Sequence, residues 1–233
     1  MMKIVLLHGQ NHKGSSYHIG RMLVDKLGEG HEIAEFFLPR DLQHFCVGCY
    51  QCIDDDTKCP FYTEKMKIME QIERADLVVF TTPTYCMRAS AGMKSFIEMT
   101  FNYWMPHRPR KCMFHKKAVI ISTAAGTGTK TAIKDIKDTM LYWGISYVKT
   151  YGVSVQAMGW DKVSDKKKTQ IDKDMTKLVR QITNQKAKVS FKTKGLFMIM
   201  RMMQKSGMGS SPAEKQYWEE NGWLGKQRPW KSV

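Results

Sequence analysis

The chain has no apolar run long enough to span a bilayer; its longest, such as Ile4 to Leu7 and Leu196 to Met200, are strand-sized or shorter. A secretory leader pattern is missing too, because the run after Lys3 breaks at Gly9-Gln10-Asn11-His12. Negative charge is scarce: 22 Asp and Glu stand against 37 Lys and Arg, a net +15 over 233 residues. That imbalance points to anionic partners, whether nucleotides, phosphates, a membrane surface or nucleic acid. No repeat recurs at a fixed period, which excludes a solenoid or propeller. These absences leave a cytoplasmic globular protein as the expectation, long enough for one sizeable core and an appendage.

What is present is a run of short buried strands separated by amphipathic helices. Lys3 to His8 reads as a buried parallel strand, and Ile19, Met22, Leu23 and Leu27 recur at helical spacing until Gly28 and Gly30 stop them. His31 to Phe37, Leu77 to Phe80, Ala118 to Ile121 and Tyr147 to Val155 read as four further strands. Helical spacing recurs at Met66, Met69, Ile72 and Ala75, and at Ile133, Ile136 and Met140. It recurs again at Ile171, Met175, Leu178 and Ile182. A further helix runs from Met93 through Phe96, Ile97 and Thr100 to Trp104, where Pro106 and Pro109 break it. Strands alternating with helices predict an α/β domain, a parallel sheet covered on both faces, over residues 1–188. Residues 189–233 are Lys-, Met- and Trp-rich and read as a C-terminal extension packed on it.

Open parallel sheets bind ligands at the carboxyl ends of their strands. There Gly9 to Tyr17 leads into a helix N-terminus, where free amides and the dipole favour an anion and Ser15, Ser16 and Tyr17 add hydroxyls. Two sharper motifs fail. Ser15 stands where a Walker A loop needs its Lys, and the spacing of Gly9 and Gly14 is not that of the dinucleotide fingerprint. One phosphate group therefore suits the loop better than a triphosphate; the alternative is a plain turn with Ser as N-cap. Thr81 to Met87 and Ser122 to Gly128 are expected as two more loops at the same edge, one offering an aromatic wall, the other small residues that let a flat ring approach.

With Cys46-Val47-Gly48-Cys49-Tyr50-Gln51-Cys52, Ala75-Asp76, Thr82-Pro83-Thr84-Tyr85, Gly92 to Ile97 and Tyr217 to Trp223, these segments resemble one family. It is that of the flavodoxin-like NAD(P)H-dependent oxidoreductases, which takes in FMN reductases, quinone reductases and iron–sulfur flavoproteins. The resemblance implies a flavodoxin-like, doubly wound, five-stranded parallel sheet in the order 2-1-3-4-5 with a helical C-terminal extension. It implies FMN as cofactor, NADPH or NADH as electron donor, a quinone, flavin or similar small molecule as acceptor, and a homodimer or homotetramer. By the same resemblance Gln10, His12, Ser15, Ser16 and Tyr17 hold the FMN phosphate. Pro83, Thr84, Tyr85, Cys86 and Met87, with Ser122, Thr123, Ala124, Ala125 and Gly126, frame the isoalloxazine ring. No catalytic side chain is expected, since the flavin supplies the reactive atom. The competing reading is a non-catalytic electron carrier or flavin-sensing module on the same fold; the basic charge favours a user of nicotinamide phosphates.

Cys46, Cys49, Cys52 and Cys59 read C-x2-C-x2-C-x6-C, a spacing seen in iron–sulfur flavoproteins and compatible with a [4Fe–4S] cluster. Zinc fits less well, since its sites are commonly built from separated pairs, and a redox CxxC belongs at a helix N-terminus after a first strand. Asp54, Asp55 and Asp56 would oppose the added negative charge of a cluster, so the expectation is reduced thiols near the flavin edge with no stable metal site. In the tail, Leu196, Ile199, Met200 and Met203 share a helical face that suits packing on the parent domain or a partner, or a membrane surface. Trp218, Trp223 and Trp230 among lysines could stack on bases, but no nucleic-acid module accompanies them and nucleic acid is not an expected partner.

Overall fold

The computed structural model describes residues 1–209 and 211–231. In chain order its elements are β1 (Lys3–His8), α1 (Ser15–Asp25), β2 (Glu32–Phe37), α2 (Gln51–Asp54), α3 (Tyr62–Arg74), β3 (Leu77–Tyr85), β4 (Arg88–Ala89) and α4 (Ala91–Met99). They continue with β5 (Lys117–Ala124), α5 (Thr129–Trp143), β6 (Tyr147–Ser154), α6 (Asp165–Asn184), α7 (Phe191–Lys205) and α8 (Pro212–Glu220). The long strands are parallel in the order β2-β1-β3-β5-β6, and the two-residue β4 folds back antiparallel on β3. Setting β4 aside, this is the 2-1-3-4-5 order, and the domain is flavodoxin-like.

Alternation along each strand divides the core into two layers. Val5, Leu7, Val78, Phe80, Ala118 and Ile120 face α3, α4 and α5 through Ile68, Ile72, Met93, Phe96, Ile136 and Met140. Ile4, Leu6, Val79, Val119 and Ile121 face α1 and α6 through Ile19, Leu23, Ile171, Met175 and Ile182. Both faces being covered, the strands read as nearly continuous apolar runs. Gly144 ends α5 at φ 94°, and a Cβ there would lie 2.8 Å from the Phe114 ring, so the stop needs glycine twice over.

Two expectations about local structure need correction. The helix taken to reach Trp104 ends at Met99, because the Thr100 hydroxyl turns back to donate to the carbonyl of Phe96 at 2.8 Å. A short 3-10 turn, Phe101–Tyr103, follows, and Trp104 stacks instead on Tyr142 with centroids 4.3 Å apart. The strands also run farther than their apolar cores. Thr81 to Tyr85 and Ser122 to Ala124 belong to β3 and β5, paired through Thr82 with Ser122 and Pro83 with Thr123. β1 stops opposite Thr81, so Pro83 beyond that point robs no β1 ladder of a donor.

The tail packs a third cluster of Phe197, Trp218 and Trp223 on Met105 and Phe114. Trp218 donates its indole N–H to the carbonyl of His107 (2.7 Å), Tyr217 its hydroxyl to Pro109 (2.7 Å), and Gln204 its amide to Pro106 (2.8 Å). Trp218 and Trp223 are buried in this cluster and present no free face for a base. Among the described residues no helix is long and apolar enough to cross a membrane.

Candidate functional site

The loop after β1 is fixed from below before it can bind anything. Gly9 donates its amide to the Thr81 carbonyl (2.7 Å) and accepts the Ser90 hydroxyl on its own carbonyl (2.6 Å); a Cβ at Gly9 would stand 2.5 Å from that hydroxyl. Asn11 accepts the Arg40 amide at 3.1 Å, which ties the loop to the turn after β2. Gly14, with no side chain, occupies the N-cap of α1, and its carbonyl receives the His18 amide at 3.1 Å. The serine N-cap alternative is thereby corrected: Ser15 and Ser16 are the first helical residues, and their amides and hydroxyls, with the amide of Tyr17, meet no partner among the described residues. Unpaired donors at the positive end of an 11-residue helix are chemically suited to an anion.

These donors open into a cleft of about 220 Å³ at the carboxyl edge of the sheet. Its walls bring together His12, Gly14, Ser15 and Ser16 from the first loop, Pro83, Thr84 and Tyr85 from β3, and Thr123, Ala124 and Ala125 from the end of β5. Other expected residues lie behind or beside this wall. Ser122 is buried and shares a 2.9 Å hydrogen bond with Thr84, holding the two strand ends together. The Tyr17 ring packs against His8 and Phe37, at 4.9 and 5.8 Å between centroids. Gln10, Cys86, Met87 and Gly126 do not line the cleft.

Cys86 and Met87 instead make the tight turn between β3 and β4, both in the left-handed region at φ 47° and 65°. Hairpin turns of this hand favour Asn-Gly, so two bulky residues here hold strain of about 1–3 kcal/mol each. Neighbours enforce it: Thr131 donates its hydroxyl to the Met87 carbonyl, and Asp135 takes the Ala89 amide (3.3 Å) and pairs with Arg88 (3.2 Å). Gly128, at φ 99°, lets Thr84 and Met87 approach to distances a side chain would block.

The segment after β6 supplies the wall that sequence reasoning missed, through Val155, Ala157 and Met158; Met158 is 92% exposed at the mouth. The rule that ligands sit at strand ends could have included it, since β6 ends at the same edge. Beneath the site His8 is buried, bonded at 2.8 Å to Thr81 and at 2.8 Å to Glu35. Burial lowers its pKa more strongly than Glu35 raises it. His8 is thus neutral at pH 7 and leaves the helix dipole and the loop to set the local charge.

A second concavity collects Cys46, Cys49, Cys52 and Cys59 against Tyr50, Phe61, Met99 and Phe101. Among the described residues no three His, Cys, Asp or Glu side chains are placed to grip one metal ion. Burial pushes the Cys52 thiol up to about 11. Two of the neighbouring acids are already engaged. Asp55 caps the turn that follows it through Thr57, and Asp56 is buried, paired with Lys65, and receives Asn102 (2.9 Å) and Tyr103 (3.0 Å). Arg108 donates to the Cys52 carbonyl and Arg110 lies 3.8 Å from Asp56.

An iron–sulfur flavoprotein of Archaeoglobus fulgidus is 24% identical over 158 residues, 65% of this chain and 70% of that one. Among solved structures, an azoreductase from Bacillus anthracis matches with a TM-score of 0.62 at 14% identity, over 78% of this chain and all of its own. An NAD(P)H:quinone oxidoreductase from Methanothermobacter marburgensis matches at 0.58 and 18% identity, over 77% of this chain and 96% of its own. These likenesses establish the fold. The family model of the NADPH-dependent FMN reductases matches residues 2–158, from the start of β1 through Met158 at the mouth of the cleft. With more than half its length so matched, this chain belongs to the NADPH-dependent FMN reductase family.

Proposed function

We propose that the cleft binds FMN and that the protein passes electrons from NADPH or NADH to a quinone, flavin or similar small acceptor. The observation that carries this is the set of unpartnered donors at the start of α1 opening into the same cleft as the ends of β3 and β5. The phosphate takes the Ser15 and Ser16 hydroxyls and the amides of Ser15 to Tyr17, with Gln10 and His12 beside it. Pro83, Thr84 and Tyr85 form one wall for the ring. Thr123, Ala124 and Ala125 form the other, with Gly126 just beyond it and Ser122 and the Cys86-Met87 turn bracing it from behind. Bound FMN supplies the two-electron chemistry between donor and acceptor. The residues bind the phosphate, hold the ring and leave one face open between Tyr85 and Ala124-Ala125. Exposed Phe45, Val47 and Tyr50 offer a surface that a homodimer or homotetramer in the cytoplasm would cover. Stopped-flow mixing with NADH or NADPH should bleach the flavin faster than it bleaches free FMN. If neither donor does so, the protein is an electron carrier.

A second reading concerns the four cysteines, which we propose as ligands of a [4Fe–4S] cluster; one relative is named an iron–sulfur flavoprotein. The favouring observation is that all four line one concavity with apolar walls. A cubane takes one thiolate per iron and so spreads its ligands farther than a single ion does, which the absence of a compact three-ligand group does not oppose. The charge argument against a cluster also weakens, since Asp56 is neutralised by Lys65 and Arg108 brings positive charge to Cys52. Anaerobically purified protein should carry about four irons and matching acid-labile sulfide per chain, both lost in Cys49→Ser. Iron-free parent protein returns these residues to reduced thiols.

A further inference from the structure

We propose that the outer face of α7 docks the protein on an anionic lipid surface. The sequence gathers Leu196, Ile199, Met200 and Met203 into one apolar face, but the structure divides it differently. α7 turns Thr193, Phe197 and Gln204 into the protein and leaves Phe191 92%, Ile199 50% and Met202 58% exposed, with Met208 67% exposed just beyond. At 100° per residue Phe191, Gly195, Ile199 and Met202 fall within one quadrant of the helix, a continuous apolar crest. Lys194 and Lys205 lie along one flank of that crest and Lys192 along the other.

The charge on this element is of one sign. α7 carries Lys192, Lys194, Arg201 and Lys205 and no Asp or Glu. Arg201 directs its guanidinium to the carbonyls of Trp223 (3.0 Å), Leu224 (2.9 Å) and Gly225 (3.1 Å), so among the described residues its charge is met by dipoles and by no carboxylate. The adjoining loop adds a cleft of about 480 Å³ lined by Lys111, Lys226, Arg228 and Lys231 against one acid, Glu220, which already accepts from Gln216. A second copy meeting it through the same face would set one cationic helix against another. An anionic bilayer takes the crest into its apolar boundary and the flanking lysines at its phosphates.

The test uses full-length flavin-loaded protein and co-sedimentation with vesicles of phosphatidylcholine alone or mixed with phosphatidylglycerol. We expect binding to the mixed vesicles only, weakened by salt. Ile199→Ser with Met202→Ser should lower that affinity at least about tenfold, because two apolar side chains no longer leave water. Lys192→Glu with Lys205→Glu should lower it comparably, with flavin content and melting temperature unchanged in both. Failure of the parent to sediment with the anionic vesicles overturns the proposal. So does sedimentation that neither pair of substitutions weakens. Loss of a parent oligomer in Ile199→Ser with Met202→Ser also overturns it, assigning the crest to a second copy.

Discussion

Replacing Ser15 and Ser16 together with valine should weaken FMN binding by roughly 10² to 10⁴-fold, because each hydroxyl donated to a charged phosphate is worth about 1.5–3 kcal/mol. The residues are suited to the test: both lie at the start of α1 and contribute to the cleft wall. Neither hydroxyl bonds within the described protein, so their loss breaks no internal contact. The substitution keeps the three backbone amides and the helix dipole, which is why binding should be weakened rather than abolished. Titrating FMN into the flavin-free protein, with its fluorescence quenching as readout, gives the affinities directly. Equal affinities for parent and variant would remove the phosphate from this loop and the cleft assignment with it.

The second large effect lies under the cysteine concavity. Asp56→Ala should destabilise the protein by about 3–5 kcal/mol, since it leaves Lys65 buried without its counter-ion. Lys65 is completely buried, and Tyr103 and Asn102 would lose an acceptor at the same time. For a chain of this size that corresponds to a fall of about 6–20 °C in melting temperature. Asp56→Asn combined with Lys65→Met should recover most of the loss, because no buried charge is then left alone. Thermal melts of the three proteins decide the matter; a fall of less than about 2 °C for Asp56→Ala would mean that water reaches the pair. If a cluster occupies the concavity, its iron content should fall with Asp56→Ala and return in the double variant.

These two sites differ in how far they can be read from the chain. Ser15 and Ser16 announce themselves, because a strand, a glycine-containing loop and a helix start occur in unbroken succession and backbone geometry does the rest. Asp56 and Lys65 do not. The buried pair is completed by Asn102 and Tyr103, 46 and 47 residues beyond Asp56, and in the sequence Asp56 looks like one of three exposed acids.

The same division runs through the molecule. Sequence alone determined the five long strands and their parallel pairing, since buried strands must be apolar and crossover helices must be amphipathic, and it pointed to the sheet edge where the cleft opens. It also determined that α5 stops at Gly144, where a left-handed residue is required. The tertiary structure decided where strand gives way to loop. Thr81 to Tyr85 and Ser122 to Ala124 carry polar residues that resemble connections, and ladder pairing among β3, β4, β5 and β6 extends them as strand. It decided the left-handed turn at Cys86-Met87, which local preference opposes and contacts from Thr131 and Asp135 impose. It decided that Met158 joins the cleft, that four cysteines share one concavity, and which face of α7 stays in water. Each of these rests on groups distant in sequence meeting in space, and a periodic pattern along one segment carries no information about what that segment will be packed against.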